Sequence, residues 1–243
     1  MIKERVEIMR QKIRKALQTI SMLFFPLTFV FFSPYVSLMG ASLGIINGSA
    51  FIFMAMLITS MICSRLFCGW LCPAGRIQDI LIESQGRKWN SRLQNLSRYI
   101  IWLVWVSIVL GQYVMHLPLK SDFLYSASLD PQLLIIYFVV ISIIYLFALL
   151  TGKRGMCHSI CWMAPFMTIG GKLADVLRIP RFRIVGDAKQ CVSCMQCNKK
   201  CPMGVDVEGY VQSKAKESDE CIGCYECVDT CPRKAIRAGL FIK

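Results

Sequence analysis

Apolar positions Ile2, Val6, Met9, Ile13, Leu17 and Ile20 recur at steps of three and four, with Lys3, Arg5, Arg10, Lys12, Arg14 and Lys15 between them. That spacing predicts a basic amphipathic helix over residues 1–18, suited to lying on an anionic membrane face. The pattern then turns from periodic to solid. Apolar runs over Thr19–Met39, Phe51–Ser64, Tyr99–Leu119 and Leu133–Leu150 predict four membrane spans, the first kinked at Pro26 and Pro34. The second is short by itself, and Phe67, Trp70 and Leu71 extend it into the interface. Residues 76–98 are polar and mixed; Ile77, Leu81, Trp89, Leu93 and Leu96 give a partial helical stripe broken near Gly86, read as an interfacial helical loop. Gly170, Gly171 and Pro180 mark residues 170–186 as a linker, and the terminal IRAGLFIK suits an edge strand.

Within a membrane domain expected over residues 19–169, residues 19–165 read as two copies of one unit: a span, a nearly uncharged turn, a span, a basic residue and a C-x-x-x-C pair with a proline nearby. The predicted fold class is an α-helical membrane protein, a four-helix transmembrane bundle of two pseudo-repeats, followed by an α+β domain over residues 187–243. Composition agrees, since 55% of the 243 residues are hydrophobic. The net charge of +13 admits nucleic acid, anionic lipid or membrane topology as its cause. Its distribution decides. With four spans, every one of the 28 Lys and Arg residues except Lys120 falls on the side of the termini. The positive-inside rule then puts both termini in the cytoplasm, with the protein in the inner membrane and no need of nucleic acid.

Thirteen cysteines carry the chemistry. Residues 191–202 read CVSCMQCNKKCP and residues 221–232 read CIGCYECVDTCP, each a C-x-x-C-x-x-C-x-x-x-C-P run. The doubled run resembles the bacterial two-cluster ferredoxins. In that pattern three cysteines of a run turn around one cubane and the fourth, held before proline, reaches the other. The expected ligands are Cys191, Cys194, Cys197 and Cys231 for one 4Fe–4S cluster, and Cys221, Cys224, Cys227 and Cys201 for the second. Clusters need free thiolates, so this domain belongs in a reducing compartment.

Cys68 and Cys72 end the second predicted span, and Cys157 and Cys161 end the fourth. Four residues apart on a helix, the thiols of each pair share a face, and two such halves packed together would assemble four thiolates. Four is the count for a third, membrane-proximal cubane, for a 2Fe–2S centre or for tetrahedral zinc, and packed free thiols are a further reading. Arg65, Arg76, Lys153 and Arg154 flank the pairs and are placed to offset cluster charge. Cys63 is left over and reads as a packed thiol. His158 is either a loop histidine or a donor to cluster sulfur. His116 is either interfacial or a relay or quinone-site residue. No Walker loop, dinucleotide fingerprint, Ser/His/Asp constellation or haem attachment site is present, so no substrate chemistry is visible beyond clusters.

Cys68-Gly-Trp-Leu-Cys72-Pro73 and Cys157-x-x-x-Cys161, followed by the ferredoxin run, make nearly the whole chain resemble the NapH/NosR-type membrane polyferredoxins. The second pair departs from the twin C-x-x-x-C-P pattern, because Trp162 follows Cys161 and the proline comes only at Pro165. The resemblance implies a four-span, iron–sulfur electron-transfer subunit that works with membrane lipid, a quinone and other redox subunits of a complex. A cluster-based redox sensor and a metallocofactor maturation factor are the rival readings of the same architecture.

Overall fold

The basic N-terminal segment folds as one helix, α1 (Ile2–Leu23). In this computed structural model, residues 2–82, 91–125, 131–151, 153–213 and 218–242 are described. The apolar stripe of α1 faces outward, with Ile8, Met9, Ile13 and Ile20 exposed, while Arg14 and Gln18 are buried. Arg14 therefore packs into the protein, while Lys12 stays exposed and Arg10 and Lys15 are half-buried.

The run expected as the first span is broken twice. Phe24 starts a new helix, α2 (Phe25–Phe32), with Pro26 in its first turn, and Ser33 turns extended before α3 (Pro34–Ser42). Proline supplies no amide N–H, so Pro26 and Pro34 stand in the first turns of α2 and α3, and Ser33 ahead of Pro34 is pushed out of the helical region. The Ser33 hydroxyl accepts from Val36 N at 3.4 Å and caps α3. Indole N–H groups take up carbonyls freed at the second break: Trp162 donates to Phe32 O at 2.9 Å and Trp105 to Pro34 O at 3.1 Å. Next come β1 (Ile45–Asn47) and α4 (Gly48–Cys63), the latter capped by Asn47.

Short helix α5 (Leu66–Trp70) leads into α6 (Pro73–Ile82) and, beyond it, α7 (Ser91–Met115). The interfacial stretch around Gly86 and Trp89 lies outside the described residues. Strand β2 (Lys120–Asp122) pairs in parallel with β1. Helix α8 (Pro131–Thr151) precedes another short helix, α9 (Gly155–Ser159), and α10 (Met163–Val176).

The four-span bundle is not what forms. Among the described residues, only Leu96–Met115 within α7 is long and apolar enough to cross a membrane. A second crossing arises only if Glu7–Leu23 and Phe25–Phe32, which meet at 81°, count as one broken span. Gly48–Cys63 and Ile135–Leu150 are apolar but shorter. The 16 residues of α4 rise about 24 Å, less than the ~30 Å hydrocarbon core of a bilayer.

Residues 170–176, expected in a linker, complete α10. Gly170 is why α10 lies so close to α4: a Cβ there would collide with Leu57 O and Ser60 Oγ. Strand β3 (Arg181–Gly186) pairs antiparallel with β4 (Ile236–Phe241), from Arg181 opposite Phe241 to Gly186 opposite Ile236. The C-terminal strand thus closes onto the segment just before the ferredoxin run. Helices α11 (Gln196–Lys200), α12 (Val207–Ser213) and α13 (Glu226–Thr230) complete that lobe. One core joins Phe53, Met56, Met163 and Met167 to the twin-motif cysteines, and a smaller one fills the ferredoxin lobe with Ile184, Val207, Val211 and Ile236.

Candidate iron–sulfur centres

The two ferredoxin runs fold alike. Ser193 and Gly223 take left-handed backbone, and so do Met195 and Tyr225, which start α11 and α13. These turns bring three cysteines of each run to one side. Cys191, Cys194 and Cys197 line a cavity of about 380 Å³ together with Cys231. Cys221, Cys224 and Cys227 line another of about 390 Å³ together with Cys201. The fourth cysteine of each run therefore lies with the other run. The second cavity is walled by Ile184, Val205, Val207 and Ile222, so it is dry.

The twin C-x-x-x-C segments also match each other. Cys68 N bonds to Arg65 O at 3.0 Å and Cys157 N to Arg154 O at 2.9 Å. Leu71 N and Cys72 N converge on Phe67 O, as Ile160 N and Cys161 N converge on Met156 O. The pairs do not ride on one helical face as the spacing predicts. Cys68 and Cys157 lie in α5 and α9, and Cys72 and Cys161 follow just after each helix ends. All four are buried in one core. Cys72, Cys157 and Cys161 line a cavity of about 470 Å³ with Phe25, Phe29, Phe32 and Ile144. The Cys68 sulfur touches the Met167 sulfur at 3.8 Å, and Gln78 Nε2 donates to Cys157 Sγ at 3.4 Å.

The donor sets fit iron–sulfur clusters. Burial pushes the Cys72 thiol well above its ordinary range and the Cys161 thiol up to about 12, and the neighbouring thiols add to both. Burial likewise raises Cys224 to about 12, with Cys201 adding to it. Crowded dry thiols of this kind ionise only when a cation compensates them, and metal ligation does that. Among the described residues, no three His, Cys, Asp or Glu side chains are placed to hold a single metal ion.

Buried arginines frame the twin-motif set. Arg154 donates to Cys68 O at 2.7 Å and holds Asp79 with two bonds of 2.7 and 2.6 Å. Arg98 donates to Cys157 O at 3.0 Å and to Glu220 at 2.7 and 3.0 Å. Arg65 joins Glu220 at 2.9 Å. Burial disfavours ionised Glu220, but facing Arg65 and Arg98 outweigh it and hold its carboxyl well below the usual range. Of the other expected flanking cations, Arg76 donates to Thr19 Oγ1 at 3.0 Å and Lys153 to Asn198 O at 3.2 Å. His158 is buried; its Nε2 lies 3.1 Å from Met203 O and its Nδ1 3.5 Å from Glu220. His116 is exposed at the end of α7, and Cys63 is exposed rather than packed. Arg14, Asp79, Arg98 and Glu220 were not singled out from sequence. The available signal was a charge set against apolar surroundings, as at Arg98 beside an apolar run and Glu220 beside Cys221.

The twin-motif unit sits directly on the second ferredoxin set. A Cβ at Gly69 would strike Ile222 O, and Trp70 Nε1 donates to Gly223 O at 3.0 Å. Helix α1 straps the same loop. Gln11 Nε2 donates to Cys224 O at 3.0 Å, Arg14 to Glu226 at 2.7 Å, and Arg10 pairs with Asp229.

Known proteins agree with this picture. A 4Fe-4S binding domain family matches residues 48–92, and a 4Fe-4S dicluster domain family matches residues 190–236. The chain is 28% identical over 197 residues to the putative electron transport protein YccM of Escherichia coli strain K12, covering 74% of this chain and 54% of YccM. An uncharacterized protein of Methanocaldococcus jannaschii is 26% identical over 212 residues, covering 81% of this chain and 76% of the relative. The ferredoxin-type protein NapH of Haemophilus influenzae is 27% identical over 166 residues, covering 64% of this chain and 53% of NapH. The chain thus spans about half the length of YccM and NapH. No solved structure matches it. Together these likenesses support a NapH-type polyferredoxin carrying 4Fe–4S clusters in an electron-transfer role, the resemblance read from the sequence.

Proposed function

We propose that this chain is a membrane-anchored electron carrier linking a quinone to a redox partner. Three 4Fe–4S sites are proposed: Cys68, Cys72, Cys157 and Cys161; Cys201, Cys221, Cys224 and Cys227; and Cys191, Cys194, Cys197 and Cys231. When bound, such clusters supply reversible one-electron chemistry. One observation carries the reading: the cysteine sets are contiguous. Cys224 and Ile222 share a core with the four twin-motif cysteines, while Cys201, Cys221 and Cys227 share the other core with Cys191, Cys197 and Cys231. The second set is therefore the middle station, and the first set lies outermost, with Cys194 exposed beside exposed Val192 and Met195. That face is the proposed docking side for a soluble partner or another subunit.

The chain's own residues keep the inner stations dry and fixed. Phe25, Phe29 and Ile144 wall the twin-motif cavity on the α2 and α8 side, where a quinone ring would approach. Ile100, Leu103, Val104 and Leu110 on α7, Met54, Ile58 and Ile62 on α4, and Ile135 and Phe138 on α8 are all exposed. Apolar surface of that extent supports burial in lipid, with α7 crossing. The need for free thiolates favours a cytoplasmic ferredoxin lobe. The test is anaerobic addition of a short-chain quinol or quinone to the iron-loaded chain in detergent, followed by EPR. The proposal expects a cluster signal to change amplitude or shape. Full iron content with no response to either would refute the quinone link.

A further inference from the structure

A further cavity adjoins the second ferredoxin cavity, with which it shares Cys221 and Ile184, and lies between the end of α4, α10, β3 and the loop at residues 218–225. Arg65, Arg181 and Arg183 line it at relative exposures of 3%, 7% and 7%. The hydroxyls of Ser64 and Thr168 share the wall. We infer that this cavity is an oxyanion-binding site, taking a phosphate group either free or on the headgroup of an anionic lipid.

The arginines of the wall already meet two carboxylates. Asp175 accepts from Arg181 Nε at 2.7 Å and Nη2 at 3.3 Å, and also from Arg183 Nη2. Glu220 is shared between Arg65 and Arg98. Arg98, outside the cavity wall, takes part of Glu220, so the three lining arginines share two carboxylates, and Asp219 on the wall pairs with Lys172 at 3.4 Å. Hydrogen bonding is incomplete in the same place. Arg65 Nε and Nη2 and Arg183 Nε are buried without a partner. A buried donor left unmade is costly, more so when charged, so native proteins rarely leave several together.

The missing acceptor has a definite chemistry. The unmade bonds are guanidinium N–H donors, and the guanidinium fork matches phosphate or carboxylate oxygens. The position suggests one source in particular. The cavity opens at the foot of α4, below exposed Met54, Ile58 and Ile62. If that face lies in lipid, as proposed above, the cavity stands at headgroup depth; a free anion needs no such placement.

The test uses the full iron-loaded chain in neutral detergent. It is titrated calorimetrically with inorganic phosphate, with short-chain phosphatidylglycerol and with short-chain phosphatidylcholine. Saturable binding of one anion per chain is expected, weakened at least tenfold in Arg183→Gln at unchanged iron content. Tighter phosphatidylglycerol than phosphate assigns the site to lipid, and the reverse assigns it to free anion. Should Arg183→Gln lose iron, the wild type still decides: phosphate raises its melting temperature saturably at constant ionic strength, and chloride does not. The inference is overturned if neither phosphate nor phosphatidylglycerol binds saturably, if Arg183→Gln binds as well as wild type, or if phosphatidylcholine binds as tightly as phosphatidylglycerol.

Discussion

Replacing Glu220 with glutamine keeps the side chain's shape and one acceptor oxygen but deletes the negative charge between two arginines. Glu220 receives Arg65 at 2.9 Å and Arg98 at 2.7 Å, and the three side chains are 13%, 3% and 0% exposed. It stands next to Cys221 in sequence, while Arg65 precedes the first twin-motif turn and Arg98 belongs to α7. The residue thus clamps the ferredoxin lobe to the twin-motif unit. Breaking a buried pair by removing one partner costs about 3–5 kcal/mol, because the surviving charge is stranded. The retained amide oxygen puts Glu220→Gln near 3 kcal/mol, roughly a 150-fold change in the folding equilibrium. For a chain of this size that lowers the melting temperature by about 6–12 °C. Asp219→Asn is the control: its partner Lys172 is 55% exposed, and exposed pairs contribute ~0–1 kcal/mol. Anaerobic thermal unfolding followed by near-ultraviolet circular dichroism reads both variants. A fall below about 2 °C for Glu220→Gln, or equal falls for the two, would refute the clamp.

Gly69→Ala should destabilise the chain by roughly 1–3 kcal/mol, since the new methyl meets the Ile222 carbonyl; a neutral result in the same assay would mean the two loops part without cost. Gln78→Leu removes the N–H aimed at Cys157 Sγ and should lower the midpoint potential of one centre by tens of millivolts, since hydrogen bonds to sulfur favour the reduced form. An EPR-monitored titration showing all potentials unchanged would contradict that. Asp79 is held below its ordinary value of 3.8: burial opposes ionisation, and Arg154 outweighs it. A depressed carboxyl contributes stability above its unfolded pKa and loses it as pH falls through the folded value. The penalty of Asp79→Asn should therefore be constant between about pH 8 and 6. Melting curves in which the penalty changes across that interval would show that Asp79 titrates there.

The cysteine spacing was informative because ligand geometry is local: left-handed turns at Met195 and Tyr225 and the prolines after Cys201 and Cys231 act within a few residues. The resemblance to ferredoxin-type proteins was legible for the same reason. Hydropathy misled where a long apolar run hid its own breaks. Pro26 and Pro34 split the first run into separate helices, and α4 stops at Ser64, where the backbone turns to positive φ. Gly170 and Gly171 read as linker punctuation, yet the first is what allows α10 to lie against α4. The arginines were the largest omission. Counted along the chain Arg14 and Arg98 looked like topology signals and Arg65 and Arg154 like flanking cations of the cysteine pairs, but all four meet Asp79, Glu220 and Glu226, most of them far away in sequence. No local pattern encodes a pair closed by tertiary packing.

The central claim is that the twin-motif cysteines hold a cluster of their own beside the ferredoxin pair. Iron and acid-labile sulfide per chain, measured on anaerobically purified protein with EPR of the reduced state, test it in wild type and in Cys157→Ala. Three cubanes predict about twelve irons in wild type and about eight in the variant, with the ferredoxin signals intact. About eight irons in both, or zinc in place of the missing four, would contradict it.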